Sequence, residues 1–161
     1  MHSGDPHKNL ASALGRIPSG LFILTLARDQ IETGLLVSWV QQCSFRPPMI
    51  SFVVQRGRAI AEFLTKNAVF TLNILEAAQT DMIAHFGKGF APSDNAFADL
   101  DIQRAVPHGP ILQEAHAYLC GKVLDCLPAG DHELYLAEVT AGSVLDDSQP
   151  MVHIRKNGLH Y

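Results

Sequence analysis

The sequence predicts a mainly β fold with short α-helices, a closed or split β-barrel with helical caps. Three observations carry this reading. Six or seven runs are apolar or alternate at strand period, whereas only two or three short stretches, lying off the strand path, carry a helical stripe. Strands and helices also fail to alternate with the regularity of a doubly wound sheet. Finally, no G-x-G-x-x-G follows a strand, which argues against a Rossmann nucleotide site.

The elements follow in order. "NLASALGRIPSG" sets Leu10, Ala13, Leu14 and Ile17 at helical spacing and breaks at Pro18, Ser19 and Gly20, so a short helix leads in. "LFILTLA" is apolar on both faces and suits a strand buried on both sides; "RDQIETG" reads as a polar hairpin before the strand "LLVSWVQQ". "CSFRPP" is expected to be irregular, because Pro47 and Pro48 cannot donate to a ladder, and the sheet resumes at "MISFVVQ". "RGRAIAEFLTKN" carries a helical stripe of Ile60, Phe63 and Leu64, "AVFTLNIL" alternates as a strand, and "AQTDMIAHFG" gives a second short helix with Met82, Ile83 and Phe86 on one face. Residues 89–101 are acidic, rich in turn formers and aperiodic, a long surface loop of the kind that covers sites. The last third predicts two long strands turning at Pro128 to Gly130 and a shorter hairpin turning at Lys156 to Gly158.

Composition limits the function classes. A chain of 161 residues, 47% hydrophobic and 17% charged, buries one sizeable core. It reads as a single domain over residues 1–161, with residues 1–9 a flexible lead-in. Twelve Lys plus Arg against sixteen Asp plus Glu give a formal charge of −4, and the basic residues are scattered, so no nucleic-acid footprint is present. No apolar run approaches the roughly 18 residues of a membrane span, and the N-terminus lacks secretory features, so a cytoplasmic location is expected. Cys43, Cys120 and Cys126 are odd in number and form no C-x-x-C pair, which points to reduced, buried thiols and to no metal site.

Three stretches could carry chemistry. In "GLLVSWVQQCSFRPP" a strand runs into a proline-stopped loop carrying Ser38, Gln41, Gln42 and Ser44, either a solvated strand end or an edge whose backbone groups meet a planar heterocycle. In "QRGRAI", Arg56 and Arg58 flank Gly57 before a helix, either a solvated basic turn or a phosphate site. In "PAGDHELYLAEV", His132 follows Asp131 at a turn, either structural or functional; alternation puts it on one strand face with Leu134 and Leu136, pointing inward or across a dimer seam. His85, His116, His153 and His160 read as structural.

Taken in order, "ALGRIPSGLFILT", "GLLVSWVQQCSFRPP", "QRGRAIAEFL", "FTLNIL", "GPIL" and "AGDHELYLAEV" resemble the flavin reductase-like family, whose fold is an FMN-binding split barrel. The resemblance spans about Leu10 to Tyr161 and is nearest to the C-terminal flavin reductase module of flavodiiron proteins of oxygenic phototrophs, through "ALGRIPSG", "SWVQQCSFRPP" and "RAI". It implies a homodimer that holds FMN, or FAD, and takes hydride from NADH or NADPH. Matched by motif, Ser38 and Trp39 stand beside the flavin chain, and Gln42, Cys43 and Ser44 face the isoalloxazine. The resemblance likewise implies that Arg56, Arg58 and Ala59 bind the phosphate and that His132 lies on the nicotinamide side. The chain departs from the family at Leu36, where many members have Thr, at Gln42-Cys43-Ser44, where many have Ser-Val-Ser, and at Ala137, where Gly is frequent.

The activity implied is an NAD(P)H:flavin oxidoreductase, with nicotinamide C4 passing hydride to flavin N5 and His132 orienting the reactants. The electrons would go on to a flavin, to oxygen, or to a protein acceptor of oxygenase or flavodiiron type. The alternatives are a non-enzymatic FMN-binding electron carrier reduced by a partner protein and a split barrel that binds another ligand, such as haem.

Overall fold

A computed structural model describes residues 5–160. The chain starts with helix α1, Pro6–Gly15, followed by strands β1, Ser19–Gly20, β2, Phe22–Arg28, β3, Ile31–Val37, β4, Val40–Phe45, and β5, Pro48–Gln55. A 3-10 turn over Ala59–Phe63 leads to β6, Val69–Ile74, helix α2, Thr80–Gly87, and the short strands β7, Ile102–Gln103, and β8, Ile111–Leu112. Two long strands, β9, Ala117–Ala129, and β10, His132–Val144, precede β11, Val152–His153. Helix α1 starts earlier than the lead-in of residues 1–9 allowed. Asp5 caps it by accepting a hydrogen bond from the His7 amide at 3.0 Å, and Pro6 occupies a first-turn position where no amide donor is needed.

Seven strands form one antiparallel sheet in the order β3-β2-β6-β9-β10-β5-β4. Its two edge strands, β3 and β4, are consecutive in the chain and joined only by Ser38 and Trp39. A linker that short spans about 11 Å at most. The sheet must therefore curl until its edges nearly meet at that corner, and no ladder joins β3 to β4, which leaves the curled sheet split there.

The curl encloses an apolar interior. Phe52 stacks on Tyr135, with ring centroids 5.2 Å apart and planes 11° from parallel, and meets Phe70 edge to face at 5.2 Å. Leu24, Leu26, Leu35, Leu72 and Val123 complete this interior cluster. A second cluster forms outside, where Met82 and Phe86 of α2 pack with Leu21, Ile23, Leu75 and Phe97. Strand β2 lies between the two clusters, which is why "LFILTLA" is apolar on both faces.

Several expected details are corrected. The hairpin after β2 turns on Asp29 and Gln30 alone, both with positive φ, and Ile31 already belongs to the next strand; a two-residue turn of this kind matches the strand twist. "CSF" is not irregular. It continues β4 along β5, and a bulge between Gln42 and Ser44 absorbs Cys43. The stripe of Ile60, Phe63 and Leu64 forms a 3-10 turn rather than an α-helix. The final hairpin does not form, because Val152 and His153 pair instead with Gly20 and Ser19. Of the three thiols only Cys120 is buried; Cys43 sits on an edge strand and Cys126 on the projecting end of the β9–β10 hairpin.

Candidate functional site

A cavity of about 700 Å³ lies between β3, β5, α2 and the C-terminal segment. Strand β3 supplies Leu35, Leu36, Val37 and, just beyond its end, Ser38; β5 supplies Val53, Val54 and Gln55; and α2 supplies Ile83 and Gly87. The remaining wall is the chain from His153 to Asn157 together with His160. A smaller cavity of about 300 Å³ lies between Gly34, the Gly57–Ile60 turn and the start of the long loop at Lys88 to Ala91. Arg58 lines both cavities, and its guanidinium donates to the Lys88 carbonyl at 3.4 Å.

These walls suit a flat, partly apolar ligand with an anionic tail. The volume falls in the range of small-molecule sites, roughly 300 to 1,000 Å³. The floor is aliphatic, while Ser38, Gln55 and Asn157 offer hydroxyl and amide groups at its margin. Arg58, Lys88 and the adjoining backbone supply positive charge at the small cavity. Among the described residues no group of three or more His, Cys, Asp or Glu could hold a metal ion.

His132 begins β10, and the register settles which way it faces. Tyr135 lies opposite Phe52, and Ala137 opposite Ile50, all on the interior face. His132 therefore lies on the outer face with Leu134 and Leu136, which excludes the inward one of the two expected directions. It is buried nonetheless. Trp39 covers it, with ring centroids 4.9 Å apart, and Arg155 lies over the other ring of this stack, its guanidinium carbon 5.0 Å from the Trp39 centroid.

Asp131 accepts a hydrogen bond from His132 Nδ1 at 2.7 Å. That bond, and then the charge of the ring, hold the Asp131 carboxyl below its ordinary range, so the carboxylate is ionised at neutral pH. An ionised carboxylate only accepts. Nδ1 must therefore carry the proton, which makes Nε2 the acceptor of the neutral ring. The turn is fixed from both sides: Gly130 supplies a left-handed φ of 64°, and the Arg56 amide donates to the Asp131 carbonyl at 3.1 Å.

Of the residues singled out from the sequence, the fold brings Ser38, Arg58 and Ala59 to the cavities, with Trp39 and His132 stacked beside them. Gln42, Cys43 and Ser44 stand on the β4 edge and Arg56 on an exposed turn, none of them on the walls of either cavity. The departures are also placed. Leu36 lines the large cavity, whereas Ala137 is fully buried in the interior. The chief omission is the segment His153 to Asn157, whose charges ahead of Gly158 read as an ordinary turn. Its adjacent cations Arg155 and Lys156 were the available signal.

Solved flavin reductases share this fold. An NADH:FAD oxidoreductase of Streptomyces globisporus superposes with a TM-score of 0.85 at 22% identity, over 96% of this chain and 93% of that one. The styrene monooxygenase flavin reductase of Pseudomonas putida superposes with a TM-score of 0.76 at 24% identity, over 89% of this chain and 90% of that one. The flavin reductase like domain matches residues 14–158, and the chain belongs to that family of flavoprotein oxidoreductases. Diflavin flavoprotein A 1 of Synechocystis sp. is 37% identical over 155 residues, which is 95% of this chain and 27% of that protein. The chain thus spans about a quarter of the length of the diflavin flavoproteins it matches. Among the described residues no helix is long and apolar enough to cross a membrane.

Proposed function

We propose that this domain is an NAD(P)H:flavin oxidoreductase that binds FMN in the large cavity and takes its electrons from a nicotinamide nucleotide. One observation carries the proposal: in a chain of this family, the cavity of about 700 Å³ joins an aliphatic floor to walls whose charged side chains are all basic. When bound, the flavin supplies the two-electron acceptor for the nicotinamide's hydride. The protein's part is binding, orientation and exclusion of water. Leu35, Leu36, Val37, Val53 and Ile83 would keep water from one side of a flat ring, and Ser38 and Gln55 would offer hydrogen bonds at its edge. Arg58 and Lys88, with the backbone at Ala59, would hold the phosphate. FAD offers the same ring and proximal phosphate and would use the same residues.

His132 takes an orienting role in this proposal. The ring is fixed by its bond to Asp131 and by Trp39 above it, and it would set the orientation of the nicotinamide carboxamide. The electrons' acceptor is proposed to be of flavodiiron type, because the diflavin flavoproteins share this domain within a chain about four times as long. A homodimer is supported by an apolar row across the outer face, where Leu127, Leu134 and Val53 lie side by side and Leu127 is exposed. A monomer in sedimentation at assay concentration would remove that part of the proposal.

Stopped-flow mixing of the flavin-loaded protein with NADH and with NADPH, under anaerobic conditions, is the deciding experiment. Loss of the oxidised flavin's absorbance with at least one nucleotide is expected. No loss with either nucleotide, alongside full reduction by dithionite, would leave the electron-carrier alternative in its place.

A further inference from the structure

We infer that Arg155 and Lys156 form a second anion subsite of the cavity, one that takes a phosphate of the nicotinamide nucleotide; the inference rests on the reductase proposal for the identity of that nucleotide. The acids of this chain outnumber its Lys and Arg by sixteen to twelve, yet the charged side chains on the walls of the large cavity are Arg58, Arg155 and Lys156, with no carboxylate among them. Arg58 belongs with Lys88 at the small cavity, and together they suffice for one flavin phosphate. Arg155 and Lys156 line only the large cavity. Among the described residues neither of them pairs with a carboxylate. Two adjacent cations on a cavity wall, without an internal counter-charge, call for an anion from outside.

The segment that carries them is held in place at both ends. Before it, Val152 and His153 pair with Gly20 and Ser19. After it, the Gly158 amide donates to the Ala11 carbonyl at 2.7 Å, and Gly158 packs so closely on Leu14 and Gly15 that no Cβ would fit. Residues 154–157 thus cross the cavity as a strap between two fixed points. A strap fixed in this way presents its side chains with little ordering cost on binding.

Arg155 lies over Trp39, the only tryptophan of the chain. A part-exposed cation–π contact is weak beside a charge-assisted hydrogen bond to phosphate, so an arriving phosphate would draw the guanidinium off the indole. Trp39 becomes a built-in reporter of occupancy. The phosphate could be the pyrophosphate common to NADH and NADPH, or the 2′-phosphate of NADPH alone, and the two sources are separable.

The test compares the wild-type chain, flavin loaded, with the R155Q/K156Q double variant. The variant is expected to raise KM by about 10-fold or more for at least one nucleotide while the flavin Kd stays within about 2-fold. A rise with both nucleotides assigns the pyrophosphate, and a rise with NADPH alone assigns the 2′-phosphate. Flavin weakened in parallel, or both KM values within about 2-fold of wild type, would overturn the inference. Titration with inorganic pyrophosphate, without reductant, should change Trp39 fluorescence saturably in the wild type and not in the variant. No change in the wild type also counts against the subsite. Because this second measurement needs no turnover, a failure of nucleotide oxidation would strike the reductase proposal and leave the subsite separately tested.

Discussion

Two polar clusters flank the sheet and use their side chains in opposite ways. On β2 and β6, Thr25, Thr71 and Asn73 are fully buried and close their hydrogen bonds on the chain itself. Thr25 donates to the Pro110 carbonyl and Thr71 to the Gly109 carbonyl, each at 2.7 Å, while Asn73 donates to the Ile23 and Pro110 carbonyls and accepts from the Leu112 amide at 2.9 Å. Together they fasten the segment at Gly109 to Leu112 onto the sheet. Around the large cavity, Arg58, Arg155 and Lys156 keep their charges toward the open volume, and Trp39 and His132 stack beside them. The first cluster is finished within the protein. The second is arranged for something that arrives, so mutations in the two should move different quantities.

The largest effect is expected in the first cluster. Asn73→Leu removes three hydrogen bonds at a fully buried site and strands the Leu112 amide, while the Pro110 carbonyl keeps its bond from Thr25. A loss of about 3 kcal/mol is expected, since one stranded buried group costs roughly 1 to 3 kcal/mol. Urea denaturation would measure it, and the flavin Kd of the protein that remains folded should stay near wild type. A flavin Kd that rose in step with the loss of stability would erase the distinction between the clusters.

Arg58→Gln should behave in the converse way. Removing a charge-assisted donor from the small cavity is expected to weaken flavin binding about 10-fold or more, with stability within about 0.5 kcal/mol of wild type because the side chain is only partly buried. Equilibrium titration followed by flavin fluorescence gives the first number and urea denaturation the second. Unchanged flavin affinity would take Arg58 out of the phosphate site.

The comparison also explains what the sequence made legible. Elements fixed by local chemistry were readable: "LFILTLA" as a strand buried on both faces, and the turn before His132 from its Pro-Ala-Gly. The three-residue link between bulge and proline at "CSFRPP" was misread, because Pro47 and Pro48 punish a ladder only where their amides are needed, and at the turn they are not. Ser38, Arg58 and Ala59 were accessible because they lie within motifs. The strap at Arg155 and Lys156 was not, since its meaning comes from contacts with Gly20 and Ala11, more than 130 residues away in the chain. Pairing partners at that separation leave no periodicity in the segment itself.

A smaller effect tests His132. His132→Ala removes the orienting group beneath Trp39, and hydride transfer in the flavin-loaded protein is expected to slow about 10-fold, the worth of roughly one hydrogen bond. His132→Asn, which keeps an amide acceptor near the ring position, should recover part of the rate. Stopped-flow traces at saturating nucleotide read this step directly. Equal rates for wild type and the alanine variant would leave the histidine as packing for Trp39 and nothing more.

The smallest effect lies in Asp131, and its sign follows from the direction of its shift. The hydrogen bond from His132 comes first, then the charges of His132 and Arg56, in holding the carboxyl below the unfolded value of about 3.9. A carboxyl depressed by folding contributes stability above its unfolded value and loses it as pH falls through its folded one. The contribution is therefore intact at neutral pH and disappears below about pH 4. Its size is modest because the carboxylate stands in solvent, where water and salt screen it. Asp131→Asn should show a shallower loss of Tm on acidification below that point than the wild type, with the two curves parallel between neutrality and about pH 5. Parallel melting curves down to the acid limit would show that the pair is only a turn contact. The orienting role of His132 would then have to rest on Trp39 alone.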